Sequence, residues 1–169
     1  MNTQTRTKKR MAAGVLAAFL AATTAFAAMA AEQKEKYTFT YKEQKIETGM
    51  SADGALKALG KEKDTKVLAN CADDGGKDKA YLYDGFEVVT TKVNKKEVVK
   101  EINLTGSEVC TEEGLKVGDL PATVKKIYPD AKNENGLYSV ILGDTQLVID
   151  CGFKDDKVVM ITYEAVEKK

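Results

Sequence analysis

The chain has 169 residues with 26 basic and 26 acidic side chains, three Cys, and neither His nor Trp. Without His there is no Ser/His/Asp or Cys/His catalysis and no histidine metal site. The only two Arg, Arg6 and Arg10, stand in the first ten residues, so no arginine clamp for phosphate and no basic nucleic-acid footprint remains further on.

Arg6, Lys8, Lys9 and Arg10 make a positive opening without an acid, and an uncharged, Ala-rich run follows over 11–31. This pattern reads as a secretory signal peptide over 1–30, with a small-x-small cleavage site at Ala28-Met29-Ala30. Removing the four basic residues leaves a mature chain with a net charge of −4. The run is also long enough to span a bilayer uncut, although Gly14, Thr23, Thr24 and the many Ala make it weakly apolar for an anchor. No Cys precedes Cys71, so a lipid anchor is not expected.

A polar Lys/Glu tether is read over 31–36, then a strand over 37–41, where β-prone residues alternate. Ala52, Ala55, Leu56 and Leu59 recur at helical spacing, with Ser51 to cap the start and Gly60 to close the end. An extended stretch over 66–71 precedes a hairpin of 80–83 and 86–91 around Asp84-Gly85, and a turn at Asn94-Lys95 leads into a strand over 98–104. Another extended stretch is read at 115–117. Leu120, Val124, Ile127 and Tyr128 then form a second helical stripe, with Asp119 as cap, Pro121 in the first turn and Pro129 as stop. Strands over 138–142, 146–150 and 158–163 follow, separated by turns at Gly143-Asp144 and Asp155-Asp156.

These elements repeat. The stretch around Gly49 lines up with the stretch around Gly118 at an offset of 69, and Val89, Val99, Ile102 and Leu104 line up with Val148, Val158, Ile161 and Tyr163 at an offset of 59. The expected fold is α+β: two tandem repeats, 37–106 and 107–169, each a short helix plus a small antiparallel β-meander. A unit of about 60 residues buries too little surface alone, so the copies are expected to share one extended sheet with both helices on one side.

Cys71, Cys110 and Cys151 allow one disulfide in an exported chain and leave at least one thiol, and spacing alone does not choose the pair. The segment from Asp73 to Asp78 resembles a calcium loop only in being acidic and Gly-rich. It lacks the alternate spacing and closing Glu of an EF-hand, and Lys77 and Lys79 oppose a cation, so it reads as a solvated turn. No cofactor and no metal are expected.

The segment from Ile46 to Ser51, an apolar helix ending in Gly60, then a Cys and a Tyr-rich hairpin, resembles one repeat of the tandem-repeat β-lactamase-inhibitory-protein-like fold family. The small outer-membrane assembly lipoproteins are similar in having one such unit. Closer still is a resemblance to uncharacterised exported proteins and lipoproteins of Gram-positive gut bacteria, which carry a Cys before a Lys-x-Tyr-x-Tyr hairpin and Thr-x-Glu-Gly before the second repeat. Cys71, Lys79 to Tyr83 and Thr111 to Gly114 match here. Two departures stand out: three cysteines cannot supply one disulfide per repeat, and this leader does not suit lipidation.

The resemblance implies a secreted, non-catalytic module at the bacterial cell surface that binds another protein, as an inhibitor or adaptor. An envelope assembly or scaffold protein is the alternative, and a small-ligand carrier or hydrolase has less support. Nucleic acid is not an expected partner, and no membrane anchor remains if the leader is cleaved. With Leu82 and Ile102 facing the helices, strand alternation turns Tyr81, Tyr83, Val99 and Glu101 outward, joined in the second half by Tyr138, Val140, Leu142, Val158 and Met160. The expected binding surface is Tyr81, Tyr83, Asp84, Phe86 and Tyr138, with the aromatics as rigid contact area and Asp84 as a directional charge.

Overall fold

The computed structural model describes residues 34–69, 77–152 and 156–166. The leader, Cys71, the Asp73-Asp74-Gly75-Gly76 part of the acidic loop and Asp155 lie outside the described residues. In chain order the elements are β1 (Phe39–Tyr41), β2 (Gln44–Ile46), α1 (Ala52–Leu59), β3 (Asp64–Ala69), β4 (Lys77–Leu82), β5 (Phe86–Val93), β6 (Lys96–Leu104), α2 (Pro121–Ile127), β7 (Lys132–Glu134), β8 (Leu137–Leu142), β9 (Thr145–Asp150) and β10 (Met160–Ala165). β1 and β2 form a two-stranded sheet. The other eight strands among the described residues form one antiparallel sheet in the order β3-β4-β5-β6-β10-β9-β8-β7, so the fold is α+β with one extended sheet beside the small one.

Local chemistry accounts for most of the elements. The Ser51 hydroxyl accepts the Gly54 N–H at 3.1 Å to open α1, and Gly60, at φ +79°, closes it with its N–H on the Leu56 carbonyl at 2.9 Å. The two-residue loop Asn94-Lys95 joins β5 to β6, and Asn135-Gly136 joins β7 to β8. All four residues have positive φ, as tight hairpins require. Lys42 and Glu43 do the same between β1 and β2 without a Gly or Asn to announce it, so β2 has no turn signal in front of it.

Two local expectations are corrected. Leu120, with no side-chain cap, starts α2, because the Asp119 carboxylate is already engaged with the Lys116 N–H at 3.0 Å in the preceding turn. Residues 115–117 form no strand; Leu115 instead drops its side chain into the core.

The buried side chains of α1 (Ala55, Leu59) and α2 (Val124) join one face of the large sheet in a single apolar cluster. That face carries Phe86, Val88, Ile102, Leu104, Leu147, Ile149 and Ile161. The β1–β2 hairpin is part of the same core. Phe39 is fully buried, its ring 4.9 Å from Phe86 and 6.0 Å from Tyr163, and Ile46 is buried beside it. Nor does the described end of the expected tether hang free. Lys34 pairs with Glu112 at 3.0 Å and with Glu113, and Lys36 pairs with Glu47 at 2.5 Å.

Candidate functional site

Cross-strand pairing settles which side chains share a face. Tyr81 stands opposite Val88, and Val88 stands opposite the buried Ile102, so Tyr81 belongs to the helix-bearing face. Leu82 pairs with Glu87 and faces the other way. In the hairpin the Tyr83 N–H donates to the Phe86 carbonyl at 2.9 Å. The Tyr83 ring stacks on Phe86 at 4.9 Å, and its hydroxyl reaches the Gly60 carbonyl at 3.3 Å.

The expected binding surface is therefore corrected. Phe86 and Tyr138 are core residues, 1% and 4% exposed; Tyr81 and Tyr83 are half-buried on the helix side; Asp84 is exposed and ion-paired with Lys63. Val99 and Val158 are buried too, and Val140 and Leu142 pack against the core. The outward reading holds for Glu101 and Met160. The cause is a parity of one residue: choosing Leu82 as the inward residue of β4 reversed that strand, and the 59-residue offset carried the slip to Val140 and Leu142 of β8. A bulge adds to it. Val89 pairs with Glu101 and Thr90 with Val99, which leaves Lys100 as the extra residue and lets Val99 and Ile102 point the same way. The hairpin tip is also anchored, since the Gly85 carbonyl accepts N–H bonds from Thr105 and Gly106 at 2.8 and 3.0 Å.

Among the described residues no helix lies on the opposite, helix-free face, where Ala80, Val89, Asn103 and Thr162 are buried among their strand neighbours and longer side chains are exposed around them. One row of cross-strand neighbours crosses all eight strands through Asp64, Leu82, Glu87, Asn103, Thr162, Val148, Ser139 and Lys132. The next row brings Glu101 directly opposite Glu164, with Gln146 and Ile141 beyond. Leu137 and Ile141 on β8, next to the β7 edge, and Met160 on the central β10 are 44%, 56% and 38% exposed. Two shallow hollows lie on this face: one of about 630 Å³ lined by Lys100, Glu101, Gln146, Glu164, Ala165 and Val166, and one of about 460 Å³ lined by Glu134, Asn135, Leu137, Ser139, Gln146 and Val148. Carboxylates outnumber lysines here, and apolar side chains flank them on one side. The sequence carried this signal in the alternation of Leu137, Ser139 and Ile141, where the inward Tyr138 drew attention to the wrong set.

A second polar cluster lies where the N-terminal segment meets the 111–115 loop. Glu112 accepts the Thr38 and Thr40 hydroxyls at 2.7 and 2.8 Å and the Lys34 ammonium, while Glu113 accepts the Tyr128 hydroxyl at 2.7 Å. Burial raises the Glu112 pKa, but Thr38, Lys34 and Thr40 outweigh it and hold the carboxyl down at about 2. The neighbouring Tyr163 hydroxyl is buried with no hydrogen-bond partner among the described residues, and burial pushes its pKa well up. This arrangement fastens the start of the fold; it pairs no nucleophile with a base. Among the described residues no group of three or more acidic or Cys side chains could hold a metal ion, and no helix is long and apolar enough to cross a membrane.

Cys110 and Cys151 are both free thiols, one exposed and one buried, and burial raises the pKa of Cys151. A thiol reagent at neutral pH is expected to modify Cys110 in the native protein within minutes. Cys151 should react only after denaturation, because both access and thiolate are suppressed. Equal native rates at the two sites, read by peptide mapping, would contradict the buried placement.

The sequence matches no family model and no curated protein. The fold is similar to that of an extracellular protein containing a SCP domain from Bacillus anthracis str. Ames, with a TM-score of 0.51 at 12% identity. The match covers 71% of this chain and 44% of that one, so the chain spans less than half the length of that structure. At this identity the likeness is one of fold alone.

Proposed function

We propose that the protein is an exported, non-catalytic protein-binding module of the bacterial cell exterior, and that the helix-free face of its eight-stranded sheet is the docking surface. One observation carries this reading. A sheet face that is merely solvated is expected to be polar throughout, whereas this one carries exposed Leu137, Ile141 and Met160 together with Glu101 and Glu164, which stand opposite each other with Lys100 3.5 Å from Glu101. A protein surface with basic groups next to apolar ones complements it. The signal-peptide pattern and the extracellular fold neighbour support export.

The same reading takes the chain as two copies of one helix-plus-meander unit. Gly49 and Gly118, 69 apart, have φ of +81° and +96°. Their N–H groups donate to Val99 and Val158, 59 apart, at 2.8 and 2.7 Å, and Val99 and Val158 donate back to Met50 and Asp119 at 2.9 and 2.8 Å. The strand order reads alike outward from the central β6·β10 pair, where Asn103 faces Thr162 at the same 59-residue offset. These equivalences support a duplication with its pseudo-two-fold axis at that pair.

Affinity capture from surface extracts of the source organism, followed by β-lactamase and protease inhibition assays on what is captured, tests the function. The triple variant Glu101→Lys, Glu164→Lys, Ile141→Asp should lose a partner that the wild type retains, since each change removes about 1 kcal/mol or more of a true contact. A partner held equally by the correctly folded triple variant rules out this face.

A further inference from the structure

A different surface, the β3 edge of the large sheet, carries an inference of its own. Among the described residues β3 pairs only with β4, in unbroken register from Asp64–Leu82 to Ala69–Lys77. All six of its residues are exposed, Val67 at 63% and Leu68 at 36%. The opposite edge, β7, is three residues long and carries Lys132 and Glu134, which are the usual means of blunting an edge. β3 is twice that length, holds no Pro and exposes Val67 beside Leu68, so its outer N–H and C=O groups form a template for another strand. One edge amide is occupied from within: the Thr65 N–H donates to its neighbour Asp64 Oδ1 at 2.8 Å.

We propose that this edge pairs antiparallel with β3 of a second copy about a two-fold axis through Thr65, joining the two large sheets into one. Charge complementarity selects both the occupant and the register. Asp64 and Lys66 project from the same face two residues apart, so a two-fold at Thr65 sets Asp64 opposite the partner's Lys66, and by symmetry does so twice. An axis at Lys66 would oppose two lysines, an axis at Asp64 would oppose two aspartates, an axis at Lys63 would set Asp64 against Glu62, and axes beyond Lys66 leave Asp64 and Lys66 opposite uncharged residues or out of reach. Opposite charges directly across strands stabilise a pair, and like charges weaken it. On association Asp64 releases the Thr65 N–H to the carbonyl of the partner's Thr65 and turns to the partner's Lys66. Two six-residue strands bury less than the roughly 1,200 Å² of a standard interface, so the dimer is weak and concentration-dependent.

Sedimentation equilibrium of the full chain, run up to about 1 mM, a range suited to a weak dimer, tests the proposal with three variants whose changes are confined to exposed side chains. The wild type is expected to self-associate. Asp64→Lys and Lys66→Asp should each weaken association at least tenfold, and the double exchange Asp64→Lys with Lys66→Asp should bring it back to within about threefold of wild type, because the charge pairs are restored with reversed sense. A wild type that stays monomeric throughout overturns the proposal. So does a dimer that either single variant leaves intact, or a double exchange that fails to restore association.

Discussion

Replacing Phe39 by Ala is expected to lower the stability of the fold by about 3 to 5 kcal/mol, the range for removing a buried aromatic ring whose surroundings cannot collapse. β1 contributes only three residues and, among the described residues, pairs only with β2, so backbone hydrogen bonding gives this hairpin little of its stability. Its attachment is the ring. Phe39 lies with no exposed surface against Phe86 at 4.9 Å and Tyr163 at 6.0 Å, and Tyr41 adds a second contact to Phe86 at 4.8 Å. Those partners are fixed by strands β5 and β10, which their own sheet neighbours hold in place, so a cavity left by Phe39 persists. Urea unfolding followed by far-UV circular dichroism measures the loss. A cost below about 1 kcal/mol, the size of an ordinary surface change, would mean that the first hairpin is an appendage and not a part of the core.

Acidification is expected to remove a further contribution, and Glu112→Gln to abolish its pH dependence. The folded-state pKa of Glu112 is about 2 against an ordinary 4.5, so the folded state favours the carboxylate. Its contribution is complete above about pH 5 to 6 and is lost as pH falls through the folded value near 2. The shift corresponds to at most about 3 kcal/mol, which solvent screening of the partly exposed pair with Lys34 reduces to about 1 to 2 kcal/mol. Lys34 bounds the other side. Burial disfavours its charge, but Glu113 and Glu112 outweigh that and raise its pKa above 10.5, so its share is present below the ordinary lysine value and is lost as pH rises through the folded one. The junction is therefore intact from mildly acid to mildly alkaline pH. Stability measured from about pH 6 down to pH 2 should fall more steeply for wild type than for Glu112→Gln, by about 1 to 2 kcal/mol over the interval. Parallel curves would show that Glu112 is not held by Thr38, Thr40 and Lys34.

Both predictions rest on a region that is hard to read in one dimension. The strand at 37–41 is visible in the alternation of Tyr37, Phe39 and Tyr41. Its return strand β2 is hidden by Gln44 and Lys45, and the turn between them puts Lys42 and Glu43 at positive φ, where neither residue signals a hairpin. The Glu112–Glu113 pair reads as one more solvated charge run until the fold brings Lys34, 79 residues from Glu113, onto it.

The sequence alone determined the elements whose causes are local. Helix α1 follows from its apolar spacing with Ser51 and Gly60 at its ends, the Asn94-Lys95 hairpin from its turn residues, and the α+β character with an extended antiparallel sheet from two short helices that could not stand alone. Tertiary structure decided which face of each strand is buried, and with it the candidate site. A strand's two faces are exchanged by a shift of one residue, and nothing within 80–83 says whether Leu82 or its tyrosine neighbours point inward. That choice is made by the pairing of Tyr81 with Val88, by the stacking of Tyr83 on Phe86 beneath the end of α1, and by the extra residue Lys100 in β6, contacts that exist only once neighbouring strands have paired. The tyrosines that looked like a contact surface turned to the helix-bearing side, Tyr138 into the core itself, for the same reason that Leu137, Ile141 and Met160 remained outside: parity is a property of the assembled sheet.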